Sequence, residues 1–184
     1  MRTTRTHLKP HSKTDFSIEI PNSTDGSDVN DLIARCDPLD ENSVYCNLLQ
    51  CTHFSKTSAI AKKDGEVFGF VSGYKLPEDP SRLFVWQVAV DKAARGHGLA
   101  KKMILDILAR PDCEQVEELH TTVTPSNSAS QALFSSVAEA LNTEAQSFMI
   151  FDRKQHLKDE HESEHLWVIG PFDNKAEEIL KAAA

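Results

Sequence analysis

The sequence predicts one α/β domain built on a mixed sheet, and three observations predict it. Asp64-Gly65 stands between two strand-like runs, Thr57 to Lys63 and Glu66 to Lys75, and a two-residue turn that needs positive φ makes such a pair a β-hairpin. The segment Arg82 to Asp91, through Leu-Phe-Val-Trp-Gln-Val-Ala-Val, is dense in β-branched and aromatic residues and fits a central strand with few exposed positions. It leads through Gly96 and Gly98 into a helix over 98–110, and a strand follows at about Val116 to Thr124. Strand, helix and strand make a βαβ unit whose crossover is right-handed, so parallel and antiparallel pairing coexist in one sheet.

The remaining elements follow in order. Phe16 to Ile20 alternates as a short strand that stops at Pro21. Val29, Leu32, Ile33 and Cys36 repeat at helical spacing behind a capping region at Thr24 and Ser27, and the helix ends before Asp37-Pro38. Ser43 to Cys51 reads as a second short helix. In the helix over 98–110, Leu99, Met103, Ile104, Ile107 and Leu108 share one face, and Pro111 stops it. Asn127 to Leu141 is a further helix carrying Ala132, Leu133, Val137 and Leu141, and strands are expected at Ser147 to Phe151 and Leu166 to Ile169. Asp152 to His165, charged and aperiodic, is expected to be a loop or lid.

Composition narrows the function. The chain has 184 residues, 40% of them hydrophobic and 26% charged, with a formal charge of −8. At that length a domain buries roughly 70% of its unfolded surface, so neither disulfides nor a metal is needed to build a core. An acidic chain without a block of Lys and Arg lacks the counterion-release term of nucleic-acid binding. Apolar runs stay short of the ~18 residues of a membrane span. Cys36, Cys46, Cys51 and Cys113 have neither C-x-x-C spacing nor scaffold density, and are read as reduced thiols of a cytoplasmic protein. Residues 1–15 carry Arg2, Arg5, Lys9 and Lys13 without an apolar stretch; a transit peptide shares that acid-poor character, but a disordered basic tail is expected. One domain over 16–173 and a helical tail over 174–184 complete the organisation.

Chemistry concentrates first in Ala94-Arg95-Gly96-His97-Gly98-Leu99-Ala100-Lys101-Lys102. Glycines between a strand and a helix let backbone N–H groups approach a ligand closely. The helix start adds unpaired donors and about half a positive charge, which suits phosphate or pyrophosphate. The plain alternative is a glycine turn before a solvated basic helix start. The segment has neither the spacing of a dinucleotide-binding GxGxxG nor that of a P-loop.

With the order of elements around it, Arg95-x-x-Gly98-x-Ala100 after the fourth strand resembles the (Q/R)-x-x-G-x-(G/A) turn of the GNAT superfamily of acyl-CoA-dependent N-acetyltransferases. The resemblance implies a mixed, mostly antiparallel sheet of six to seven strands with flanking helices. It also implies acetyl-CoA as co-substrate, no metal, and a homodimer. Carried onto this chain, Arg95, Gly96, His97, Gly98, Leu99 and Ala100 hold the pyrophosphate, backbone groups near Val88 and Val90 pair with the pantetheine arm and polarise the thioester carbonyl, and Asn127 contacts the arm. Phe134 stands where many members carry a tyrosine that protonates the leaving thiolate. Only Tyr45 and Tyr74 remain as phenolic substitutes.

A closer resemblance runs from about Ile18 to Phe172. Cys36-Asp-Pro38-Leu39-Asp40-Glu-Asn42-Ser43-Val-Tyr45, Gly69-Phe-Val-Ser-Gly73-Tyr74, Trp86-Gln87-Val-Ala-Val, Thr121-Thr-Val-Thr124-Pro125-x-Asn127 and His161-x-x-Glu164-x-Leu166 are similar to the diaminobutyrate acetyltransferases of ectoine biosynthesis. This implies acetyl transfer to the γ-amine of a small diamino acid. Such a substrate needs anions for the ammonium that must not react and a proton acceptor for the amine that must. Asp40 and Glu164 are the carboxylates expected there, Tyr45 the group that orients substrate or protonates the thiolate, and Trp86 a pocket wall whose indole N–H meets the substrate carboxylate. Plain readings stand beside these: a helix-capping acid at Asp40, a solvated acid at Glu164, core aromatics at Tyr45 and Trp86. Another small diamine or amino acid as acceptor, or a non-catalytic acyl-CoA sensor, is the alternative. His161-Glu162-Ser163-Glu164-His165 fits the zinc motif H-E-x-x-H, but its surroundings are too polar for a buried zinc helix.

Overall fold

The computed structural model describes residues 16–37, 39, 41–173, 175, 178–179 and 181. The segment 1–15 and most of 174–184 therefore lie outside the described residues, as do Pro38 and Asp40. The strands are β1 (Ser17–Glu19), β2 (Ala59–Lys63), β3 (Glu66–Leu76), β4 (Asp79–Val90), β5 (Glu118–Val123), β6 (Ala145–Phe151) and β7 (Glu164–Ile169). The helices are α1 (Gly26–Ala34), α2 (Val44–Thr52), α3 (Leu99–Leu108) and α4 (Ser128–Ala140). One seven-stranded sheet has the order β1-β2-β3-β4-β5-β7-β6, antiparallel at every junction except β4–β5.

Local chemistry explains the elements. Asp64 and Gly65 both take positive φ, 51° and 85°, as the β2–β3 hairpin requires. Ser43 Oγ accepts the Cys46 N–H at 3.2 Å and caps α2, so the capping position expected of Asp40 belongs to Ser43. Ahead of α1 the cap comes from Asn22 and not from Thr24 or Ser27: its Oδ1 accepts the Thr24 N–H at 2.9 Å, while Asp25 Oδ2 accepts the Asn22 N–H at 2.8 Å. β4 begins at Asp79 and runs through Pro80, earlier than the apolar pattern suggested. Pairing with β5 begins only at Arg82, so the N–H that proline lacks is not needed.

Helices cover both faces of the sheet. Against one face, α3 and α4 bury Met103, Ile104, Ile107, Leu108, Phe134 and Val137 over Val71, Leu83, Val85 and Leu119, and Ile179 joins this core. Against the other, Val29, Leu32 and Ile33 of α1 and Cys51 of α2 pack on Ile60, Phe70 and Ala89. Burial pushes the Cys51 thiol up to about 12 and the Cys113 thiol up to about 11, so both stay protonated core side chains.

Candidate active site

Two strands that run side by side for only a few residues create the site. The β4–β5 ladder joins Arg82 to Glu118, Leu83 to Leu119 and Phe84 to His120, and ends there, although β4 continues to Val90 and β5 to Val123. On its other edge β4 stays paired with β3 up to Gly69↔Val90. Beyond Phe84, every second residue of β4 thus turns its N–H and C=O toward a gap between diverging strands.

The register of β3 against β4 shifts between Ser72↔Gln87 and Gly73↔Val85, leaving Trp86 as the extra residue of a β-bulge. The bulge reverses the alternation along β4. Leu83 and Val85 lie in the α3/α4 core, Val88 and Val90 pack against that same core, and Ala89 faces α1 and α2. A regular strand would have placed Ala89 with Leu83 and Val85. Trp86 is half exposed, at 50%, which removes the core-tryptophan reading. Its ring meets Tyr74 edge-on at 6.4 Å, and with Phe54, Tyr74 and Phe84 it lines an open groove of about 380 Å³.

At the end of β4 the chain turns into α3. Arg95 Nε donates to the Val90 carbonyl at 3.1 Å, holding the turn on the strand end. Asp91 Oδ1 accepts the Ala93 N–H at 2.8 Å, and Asp91 Oδ2 accepts from Arg35 Nε at 2.7 Å. These partners, Arg35 first, hold the Asp91 carboxyl below the usual carboxylate range. Gly96 and Gly98 have φ of 84° and 67°, and a Cβ on either would meet nothing within 4 Å. Their backbone is therefore open from outside, with the first N–H groups of α3 beside it, which fits the coenzyme A pyrophosphate. Arg95, Gly96, His97, Gly98, Leu99 and Ala100 come together in this turn, directly after Val88 and Val90. Leu99 is buried at the head of α3, so its contribution to a ligand is restricted to its backbone.

Of the expected substrate residues, Tyr45 and Glu164 lie on the α1/α2 side of the sheet, and Asp40 lies outside the described residues. Tyr45, in the first turn of α2, is 69% exposed and is no core aromatic. Glu164 is not a loop residue. It opens β7 opposite Phe151 of β6, and by alternation with Trp167 and Ile169, which face the α3/α4 core, it projects to the α1/α2 side, half-buried. By periodicity 152–165 is one polar stretch, whereas pairing with β6 extends β7 back to Glu164. Asn127 Oδ1 accepts the Ser130 N–H at 3.0 Å and caps α4, which leaves its amide N–H groups as the donors for a cofactor contact. Phe134, on α4, is buried in the core between that helix and the sheet.

The sequence carries no signal for a role of Asn42, Gln87 or Ser126, and marks Glu162 only within the zinc motif. Asn42 Nδ2 donates to Gln87 Oε1 at 2.8 Å, pinning the loop before Tyr45 to the strand position next to Trp86. Asn30 Nδ2 supports that loop through the Asn42 carbonyl at 2.8 Å. Ser126 Oγ donates to Glu162, which ties the β6–β7 loop to the β5–α4 loop. Segment 161–165 is not helical, so the H-E-x-x-H spacing does not place its histidines on one helix face. Among the described residues no His, Cys, Asp and Glu group has metal-site geometry.

A diverging pair of strands, a bulge and a glycine turn at a helix start define an acyl-CoA-dependent transferase, and the chain belongs to the acetyltransferase (GNAT) family, which residues 27–138 match. Its relatives carry a more particular name. The L-2,4-diaminobutyric acid acetyltransferase of Methylotuvimicrobium alcaliphilum is 51% identical over 157 residues, 85% of this chain and 91% of the relative. The enzyme of that name from Vibrio parahaemolyticus is 44% identical over 149 residues, 81% of this chain and 82% of the relative. The structure of diaminobutyrate acetyltransferase EctA from Paenibacillus lautus, in complex with its substrate L-2,4-diaminobutyric acid and coenzyme A, superposes with a TM-score of 0.82 at 38% identity and covers 86% of this chain and 96% of that one.

Proposed function

We propose that the chain transfers the acetyl group of acetyl-CoA to the γ-amine of L-2,4-diaminobutyrate, by direct attack in a ternary complex, as the step of ectoine biosynthesis before ring closure. The observation that carries the reading is the likeness to a solved enzyme holding both diaminobutyrate and coenzyme A, in a chain whose β4–β5 ladder stops at Phe84↔His120.

The residues take these parts. The amides of 95–100 hold the pyrophosphate, assisted by the cations of Arg95, Lys101 and Lys102. A backbone N–H near Val88 donates to the thioester carbonyl oxygen, and Val90 and Asn127 keep the pantetheine arm along β4. Trp86 donates its indole N–H to the substrate carboxylate. Asp40 and Glu164 hold the α-ammonium charged, and one of them accepts the γ-proton, directly or through water. The γ-amine resembles that of lysine, with a pKa near ~10, so little of it is nucleophilic at neutral pH until that proton is taken. Its nitrogen then forms the bond to the carbonyl carbon, the carbon–sulfur bond breaks, Tyr45 protonates the departing thiolate, and the second proton shed by the nitrogen as it becomes an amide restores the Tyr45 hydroxyl.

Incubation with acetyl-CoA and diaminobutyrate, followed by NMR of the product, tests this: acetylation at Nγ alone is expected. Faster turnover of another small diamine would move the assignment to that acceptor. We further propose a cytoplasmic homodimer. The cysteines are free thiols, and edge strand β6 leaves Phe148, Met149, Ile150 and Phe151 exposed, a face suited to a second copy. Light scattering of wild type and Met149→Glu measures the association, with a monomer expected only for the variant.

A further inference from the structure

The bulge at Trp86 has a second effect on β4. Leu83 and Val85 are buried in the α3/α4 core and Val88 packs against it, yet two residues separate Val85 from Val88. Trp86 and Gln87 therefore both project to the α1/α2 side: the Trp86 ring stands against Tyr74 in the groove, and Gln87 reaches the loop ahead of α2. A regular strand presents only every second side chain to one face. Here two neighbours do so, just past Phe84, where β5 leaves β4.

Gln87 takes hold of the loop that decides where Tyr45 stands. Its Oε1 accepts from Asn42 Nδ2 at 2.8 Å. Asn42 immediately precedes Ser43, the cap of α2, and Tyr45 lies in the first turn of that helix. The loop is also held from behind. Asn30 Nδ2 of α1 donates to the Asn42 carbonyl at 2.8 Å and to Asn47 Oδ1 at 2.9 Å, and Asn47 Nδ2 donates to Gln50 Oε1 at 2.9 Å. Asn47 and Gln50 are buried. Every member is a neutral amide, so the chain from α1 through α2 to β4 keeps its hydrogen bonds at any working pH. It also adds no charge beside the carboxylates proposed for the acceptor.

We propose that Gln87 and Asn42 are positioning residues that set the length of the acceptor. Their hydrogen bond fixes the start of α2, and with it Tyr45, at one distance from the Trp86 indole, so the pocket takes a two-carbon spacer between the α-carbon and the reacting amine and rejects a longer one. The inference rests on the reading of Tyr45 and Trp86 as acceptor contacts. An extra methylene must push α2 away from β4, and the Asn42–Gln87 clamp resists that displacement. One methylene in a well-bounded pocket is worth roughly 10–200-fold in kcat/KM.

Steady-state kinetics with diaminobutyrate and with ornithine, which is one methylene longer, test this on the full chain, on Gln87→Met, on Asn42→Ala and on the double variant. Methionine keeps the length of glutamine without its polar end, and calorimetry with coenzyme A reports whether fold and cofactor turn are intact. In each single variant KM for diaminobutyrate is expected to rise about tenfold, with kcat within about threefold and coenzyme A affinity unchanged. The preference for diaminobutyrate over ornithine in kcat/KM should fall about tenfold. The double variant should be no worse than either single one, because both remove the same hydrogen bond. Losses that add in the double variant, a preference that survives in all three, a wild type indifferent between the two acceptors, or a coenzyme A affinity that falls in step with the rise in KM would overturn the proposal. Failure of the wild-type chain to acetylate diaminobutyrate would instead strike the acceptor reading itself.

Discussion

β4 has two neighbours, and they treat it differently. Along β3 it is paired from Leu76↔Asp79 to Gly69↔Val90, with a bulge at Trp86. Along β5 it is paired only from Arg82 to Phe84. The first edge is sealed by cross-strand pairs and packed between the two cores, so it carries stability. The second edge leaves backbone groups without a strand partner beyond Phe84. On the proposed function, one strand serves as scaffold on one side and as site on the other, and the two roles should be separable by mutation.

The largest effect is expected from Gly98→Val, which forces a β-branched residue to φ of 67°. Coenzyme A binding measured by calorimetry should be lost, with a stability cost of only about 1–2 kcal/mol. Gly65→Val in the β2–β3 turn, at φ of 85° and with equally open surroundings, carries the same kind of strain. It should lower Tm similarly and leave activity intact. If both glycines affected coenzyme A binding alike, the site would not lie where β4 and β5 part.

Next come the carboxylates. Loss of a general base costs roughly 10²–10⁴-fold in rate, so whichever of Glu164→Gln and Asp40→Asn removes the base should fall in that range. The rate of that variant should recover as pH rises and the amine deprotonates unaided. Tyr45→Phe should lower kcat about tenfold while coenzyme A affinity holds. Retention of kcat/KM within about a factor of two in all three would send the search for the pocket elsewhere.

On the scaffold side, Phe70→Ala deletes a fully buried ring between α1 and the sheet and should cost about 3–5 kcal/mol, read from denaturant unfolding. Coenzyme A affinity of the folded fraction should be retained, because Phe70 faces away from the gap.

The smallest effect concerns Asp91, whose pKa is depressed chiefly by Arg35. A depressed carboxylate adds stability above its unfolded pKa, near ~3.9, and that stability is lost as pH falls through the folded value. Asp91→Asn should therefore destabilise at pH 7 and become neutral in strong acid. Arg35 is nearly half exposed, so solvent screening limits the Arg35 share to under about 1 kcal/mol. Thermal unfolding of both proteins across pH 2 to 7 reads the difference.

What was legible in the sequence was local. Asp64-Gly65, Gly98 and Pro111 each signal through their own backbone preferences; the structure places the turn at Asp64-Gly65, starts α3 directly after Gly98 and ends it at Leu108, two residues short of the expected Arg110 and ahead of Pro111. Pairing was not legible. The bulge at Trp86 arises from a mismatch between two strands and leaves no mark in either alone. The same holds for Glu164, whose strand identity comes from Phe151 of β6 and not from the polar run around it. Val88 is reached through the family's fourth strand, but the reason its side chain shares a face with Leu83 and Val85 lies in the bulge. Asn42 and Gln87 show no periodicity of their own, and their partnership across 45 positions is visible only in three dimensions.

The early end of the β4–β5 ladder also bears on the protein when no reaction is under way. A ligand that hydrogen-bonds along β4 beyond Phe84 acts as a missing strand, so its binding is coupled to folding. Occupancy then adds RT ln(1 + [L]/Kd) to stability, about 2.7 kcal/mol at a hundred times Kd. The melting temperature should climb with acetyl-CoA concentration, even where turnover is already saturated. The lifetime of this protein would then follow the supply of the molecule it consumes.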